Sequence, residues 1–279
     1  MSLERFSINQ ATIKYSSLQE AVQVTKDAGV PAIGLWRESV AQFGLAASAR
    51  LVQEAGLRVS SLCRGGFFSG FEGPSRRAAL DDNRRAIEEA AVLGAPTLVL
   101  VVGGLPSGSR DLVGARERVR DAVGELAPEA AAASITLSLE PLHPMYVADR
   151  AVISTLGQAL DIAEQFPVEA VGVVVDTFHI FWDPQVKEQI ARAGAGGRIS
   201  SYQICDWETP LPADVLLARG YPGDGHIDFA SLTHAIKAAG YAGDVEVEIF
   251  NQAIWDTDWP TVVQTSATRY EELVAPHLG

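Results

Sequence analysis

Val171-Gly172-Val173-Val174-Val175-Asp176 has no polar side chain until its last residue. A strand with one face in water alternates apolar and polar positions, so a run that is apolar at odd and even positions needs cover on both faces. Leu98-Val99-Leu100-Val101-Val102 repeats the pattern, and such runs belong to parallel sheets buried beneath helices. Outward from these two, short β-rich runs alternate with helical ones along the chain. The predicted strands are Arg5–Asn9, Ala32–Trp36, Leu57–Leu62, Thr97–Val102, Ile135–Glu140, Val171–Asp176, Ile199–Cys205 and Val245–Phe250. Between them lie stretches with helical apolar spacing, such as Leu18-Ala21-Val22 and Leu232-Ala235-Ile236-Ala239. Helix stops recur just before the next strand, at Gly29, Gly56, Gly94 and Gly240. Eight βα units point to one α/β domain over residues 1–279, a (β/α)8 TIM barrel, rather than an open doubly wound sheet. No GxGxxG motif follows the first strand, which removes the main support for a dinucleotide fold.

The 279 residues carry 22 Lys+Arg against 35 Asp+Glu, a net charge of −13 without a basic cluster. Nucleic-acid binding needs clustered cations to displace counterions, and this surface would repel it. Cys63 and Cys205 form no disulfide framework and sit in apolar runs, so both are expected buried and reduced. The N-terminus lacks the pattern of a secretory signal, and no apolar run reaches the ~18 residues of a membrane span. The expectation is a cytoplasmic protein with no membrane or nucleic-acid partner.

A barrel of this kind reacts substrates at the C-terminal ends of its strands. Glu140, Asp176 and Glu248 end or interrupt apolar strands there, where burial of a bare carboxylate is costly. Three acids converging on one rim need a compensating cation, and a divalent ion would serve, Mg or Mn before Zn. The alternative is that the acids cap neighbouring helices or pair with arginines on the rim. On the last strand Glu246 and Glu248 share a face by the period of two, and Glu248 is preferred because it lies nearer the rim. Trp36 and Arg64, at the ends of the second and third strands, are candidate substrate contacts. In Glu140-Pro141-Leu142-His143-Pro144 two prolines stiffen a loop carrying an imidazole, which makes His143 a candidate general base; the alternative is a loop histidine bonded to backbone. Phe67, Phe68 and Phe71, in a Gly-rich loop, offer an aryl-stacking platform or else a hydrophobic lid.

Several motifs resemble the xylose isomerase-like TIM-barrel superfamily of sugar isomerases and epimerases, over essentially the whole chain. They are Ser138-Leu139-Glu140-Pro141, Asp176-Thr177-Phe178-His179, Gln203-Ile204-Cys205-Asp206-Trp207, Gly223-Asp224-Gly225-His226-Ile227-Asp228 and Val247-Glu248-Ile249-Phe250. The resemblance implies one Mn, Mg or Co ion, Mn preferred, on Glu140, Asp176 and Glu248. Gln203 stands where the family has a histidine ligand, and its amide oxygen favours oxygen-loving metals. It also implies that Glu140 and Glu248 transfer protons and that His179 hydrogen-bonds the sugar. The stretch Glu140–Arg150 resembles the α-subunits of C-glycoside deglycosidases, lyases acting on 3-oxo-glycosides with a small β-subunit. The leading expectation is therefore a metal-dependent lyase with His143 as base, in complex with a β-subunit or as a homo-oligomer. The alternative is a keto-sugar isomerase or epimerase working through an enediolate. Nucleases that share this fold build three-zinc sites from many histidines, and five histidines with this charge do not support one.

Overall fold

The computed structural model describes residues 3–70 and 72–279. Eight strands close into a parallel barrel: β1 (Phe6–Asn9), β2 (Ala32–Trp36), β3 (Arg58–Gly66), β4 (Thr97–Val101), β5 (Thr136–Leu139), β6 (Val171–Asp176), β7 (Ile199–Ile204) and, after a short antiparallel pair β8 (Asp206–Trp207) and β9 (Arg219–Gly220), β10 (Val245–Val247). Around the barrel the order is β1-β10-β7-β6-β5-β4-β3-β2. Phe6 lies opposite Val245, which closes the ring between the first and last strands. The predicted eight-stranded α/β barrel is the fold. All of β6 is buried, as its two-faced apolar pattern requires.

Helices surround the barrel, and their starts and stops follow local chemistry. Ser17 and Glu20 form a reciprocal capping box on helix Leu18–Asp27, satisfying amides that have no partner within the helix. Asp111, Thr155, Asp228 and Asp258 cap four further helices through their side-chain oxygens. Gly56 and Gly94 end theirs in the left-handed conformation, at φ 75° and 70°, which a side chain would disfavour. Most buried apolar residues, from strands and helices alike, form one contiguous cluster. A separate small cluster of Cys63, Val99 and Val174, with Trp36 against it, packs on its own. Polar side chains are buried in the barrel strands as well, in pairs such as Asn9–Glu246 at 2.7 Å.

Three departures from the predicted strands place the site. β3 continues to Gly66, past the predicted end at Leu62, and takes in Arg64. β10 stops at Val247, and Ile249 donates its backbone amide to Thr12 Oγ1 instead of a neighbouring strand. Glu248 still donates its amide to Ile204 of β7, so its side chain stands at the barrel mouth just before the chain leaves the sheet. The β8–β9 pair was not foreseen, and it brings Arg219 to the same place. Cys63 and Cys205 are buried and free, as expected.

Candidate active site

Glu246 marks the depth of the barrel interior. Its carboxylate accepts hydrogen bonds from Asn9 Nδ2 at 2.7 Å, Ser61 Oγ at 2.9 Å, Gln203 Nε2 at 3.1 Å and Ser60 Oγ. Even with these donors, burial pushes its carboxyl above the usual range. It does not line the mouth cavity, whereas Glu248 does.

Glu140, Asp176, Glu248, His179 and Arg219 come together at the mouth, each at most 5% exposed. Arg219 Nη1 donates to Asp176 Oδ2 at 2.9 Å, to Glu248 Oε2 at 3.1 Å and to the Glu248 carbonyl at 3.2 Å. Asp176 Oδ1 also accepts from Phe178 N, starting the short helix Thr177–Ile180 that carries His179. Both alternatives weighed for the rim acids, helix capping and pairing with an arginine, are therefore realised at Asp176. One ligand atom each from Glu140, Asp176 and His179 lies within 4.8 Å of the others, a possible buried metal site.

Three carboxylates share one guanidinium, so positive charge is short. Burial, reinforced by Glu248 and Asp176, pushes Glu140 well above the ordinary carboxylate range. Burial likewise holds Glu248 up to about 8 against the opposing pull of Arg219. A divalent cation would supply the missing charge, and this set of carboxylates beside an imidazole suits a borderline divalent ion. Gln203 turns its Nε2 to Glu246, which leaves Oε1 buried with no partner. His179 Nδ1 accepts the backbone N–H of His143 at 3.1 Å. The other ring nitrogen, Nε2, meets the donor-only Nη2 of Arg219 at 2.9 Å. It lies 3.8 Å from Asp176 Oδ2 and 4.0 Å from Glu140 Oε1. Burial keeps this ring neutral, well below its ordinary pKa.

Glu140, Glu248, His179 and Arg219 floor a cavity of about 210 Å³ walled by Trp36, Phe67, Phe250, Tyr146, Arg64 and Arg150. Trp36 is braced by a 2.8 Å bond from Nε1 to Asn9 Oδ1. Burial raises the Tyr146 hydroxyl to about 12, so it stays protonated. His143 is not part of the wall: its ring packs 4.8 Å from Trp207 and 5.6 Å from Trp182. Its Nδ1 accepts from Met145 N and caps the turn Pro144–Tyr146, so the loop-histidine alternative describes its geometry. Phe68 is 1% exposed in the core, so of the predicted aromatic platform only Phe67 faces the cavity; Phe71 lies outside the described residues.

Arg219, Tyr146, Arg150 and Phe250 were missed as individual site residues. Arg219 carries no sequence signal, because a loop of eleven residues separates it from the strand whose end it joins. A sharper signal lay at Asp206, whose carboxylate receives the amides of Trp207, Gly223 and Ile227 and so folds the Gly-rich segment back beside Arg219.

Over residues 22–273 the chain matches the xylose isomerase-like TIM barrel family, and it belongs to that family. It is similar to L-ribulose 3-epimerase of Mesorhizobium japonicum, 30% identical over 135 residues. That match covers 48% of this chain and 41% of the epimerase, less than half of either. To inosose isomerase of Halalkalibacterium halodurans it is 24% identical over 217 residues, 76% of this chain and 73% of the isomerase. The solved structure of protein SMc04130 from Sinorhizobium meliloti 1021 superposes with a TM-score of 0.94 at 46% identity, covering 98% of this chain and 99% of that one. The IolI protein with a binding zinc atom has the same fold, at TM-score 0.85 and 21% identity over 98% of this chain and 99% of that one. The protein is thus a barrel of the sugar isomerase/epimerase type. The finer expectation, C-glycoside deglycosidase α-subunits, has no counterpart among these relatives. No helix of the described residues is long and apolar enough to cross a membrane.

Proposed function

We propose that the protein is a divalent-metal-dependent isomerase or epimerase of small keto-sugars or keto-polyols. The observation that carries this reading is the pair of buried acids, Glu140 and Glu248, lining one small cavity with His179 between their strands. β7 and β6 separate β10 from β5 in the barrel, so the two carboxyls approach a bound molecule from different directions. Such a pair can take a proton from one face of a carbon and return it to another.

Glu140, Asp176 and Glu248 would hold the ion, with the unpartnered Gln203 Oε1 as neutral donor; zinc on the related fold and the charge shortage here support an ion, and oxygen-rich ligands favour manganese. Bound there, the ion would supply Lewis-acid polarisation of the substrate carbonyl. Arg219, through its Nη2 contact with His179 Nε2, orients the imidazole at the cavity floor, and Trp36 and Phe250 exclude water from the enediolate. The lyase reading has less behind it. A cavity of about 210 Å³ is smaller than the roughly 300 Å³ and upward of drug-sized ligand sites and suits a monosaccharide better than an aryl glycoside.

The test is incubation of metal-loaded protein in D2O with D-fructose, D-tagatose, an inosose and a 3-oxo-C-aryl-glucoside, followed by NMR. Deuterium entering next to the carbonyl with formation of an isomer is expected, and it should cease with a chelator and in Glu140→Gln and Glu248→Gln. Release of the aglycone without exchange into any free sugar would overturn the proposal in favour of the lyase.

A further inference from the structure

The outer wall of the cavity holds donors with nothing to donate to. Tyr146 Oη, Arg150 Nε and Arg219 Nε are all buried without a hydrogen-bond partner, and all three residues line this cavity. Tyr146 and Arg219 are each only 3% exposed. Arg219 is anchored to the floor acids by Nη1, but Arg64 and Arg150 are not so engaged. Among the described residues no carboxylate pairs with Arg64, whose guanidinium lies over the Phe67 ring at 4.3 Å and reaches toward Trp36 at 5.9 Å. Arg150 has only Asp149, at 3.7 Å and 64% exposed, a contact too long for a hydrogen bond, and it lies over the Tyr146 ring.

A guanidinium offers five N–H groups and no acceptor. A neutral polyol brings hydroxyls that each donate as well as accept, and the rest of this wall is mostly Trp36, Phe67, Phe250, Leu142 and Leu216. A sugar hydroxyl placed there would leave its own hydrogen unmatched. An acceptor-only, anionic group leaves none. We infer that the substrate is a keto-sugar acid, its carboxylate held by Arg64, Arg150 and Tyr146 while the keto end meets the acids of the floor. The cavity of about 210 Å³ favours a carboxylate over the bulkier phosphate. The segment Glu140–Arg150 then acts as one unit, supplying a floor carboxylate at its start and an anion-binding guanidinium at its end. In a protein of net charge −13, these arginines also offset at short range the repulsion that an anion meets farther out.

This inference rests on the proposed isomerase reading, and matched probes separate the two. Dissociation constants are measured by calorimetry for D-fructuronate, D-fructose and D-fructose 6-phosphate, and for the tagaturonate–tagatose pair, alongside the D2O exchange assay. At least one uronate is expected to bind about tenfold or more tightly than its neutral sugar, the scale of a charge-assisted hydrogen bond. That ratio should fall toward one in Arg64→Met, Arg150→Met and Tyr146→Phe, with Arg150→Lys retaining part of it; a melting curve for each variant confirms folding. Uronates that bind no better than their neutral sugars, or a ratio unmoved in the folded Met variants, would overturn the inference, as would tightest binding of the phosphate. Arginine-dependent uronate binding without proton exchange into any sugar would leave the inference standing and sink the isomerase. Exchange into neutral sugars with no uronate preference would do the reverse.

Discussion

Glu140, Asp176 and Glu248 are individually costly in a dry barrel mouth and become tolerable only as a set with Arg219. The guanidinium touches Asp176 and Glu248 directly, and its charge also counters the upward push on Glu140. Removing one partner of such a buried network typically costs about 3–5 kcal/mol, because the remaining charges stay buried and uncompensated. Arg219→Met is therefore expected to lower the melting temperature by several degrees, and added Mn or Zn should restore more stability to it than to the wild type. Equal metal-induced shifts in both proteins would show that the ion and the guanidinium do not share these carboxylates. Asp176 and the Glu140/Glu248 pair could be singled out in the sequence because an acid closing an apolar strand is chemically conspicuous. Arg219 could not, since it closes no apolar strand of the predicted barrel and nothing local marks it.

Among elements, β2 and β10 show how closely the barrel interior is fitted around Glu246. Gly34 of β2 approaches this side chain so closely that a Cβ would stand 2.6 Å from Oε2. The carboxylate cannot yield, because Asn9, Ser60, Ser61 and Gln203 hold it from four sides. Gly34→Ala should thus destabilise the protein by roughly 1–3 kcal/mol, the usual result of overpacking. Urea denaturation measures this, and a variant as stable as wild type would mean that Glu246 is free to move. Strand existence was readable from apolar runs and helix ends from Gly and caps, but strand lengths were not. β10 ends early because Thr12, more than 230 residues away, takes the amide of Ile249, a partner no local pattern announces.

Over the whole molecule, the shortage of positive charge at the mouth couples proton uptake, metal binding and stability. The Glu248 carboxyl titrates at about 8 in the folded chain, above its unfolded value. Its contribution to stability is therefore complete below about pH 4.5 and lost as pH rises through about 8. A cation binds the ionised form, so loading Mn at neutral pH should release protons, with affinity weakening as pH falls below about 8. Calorimetry in buffers of different ionisation enthalpy measures the release, and a proton count of zero at neutral pH would place the ion elsewhere. By the same sign, a chelator should lower the melting temperature more at about pH 9 than at about pH 6. From the sequence alone came the eight βα units, the family and the acids at the strand ends, because period, punctuation and a charged residue in an apolar run are all local facts. The tertiary structure decided that Arg219 joins those acids, that His143 packs against Trp207 and Trp182, and that unmatched donors from three separate segments face one cavity. Each of these depends on where loops distant in sequence settle over the barrel rim, and that follows from packing and long-range hydrogen bonds rather than from the pattern of any one segment.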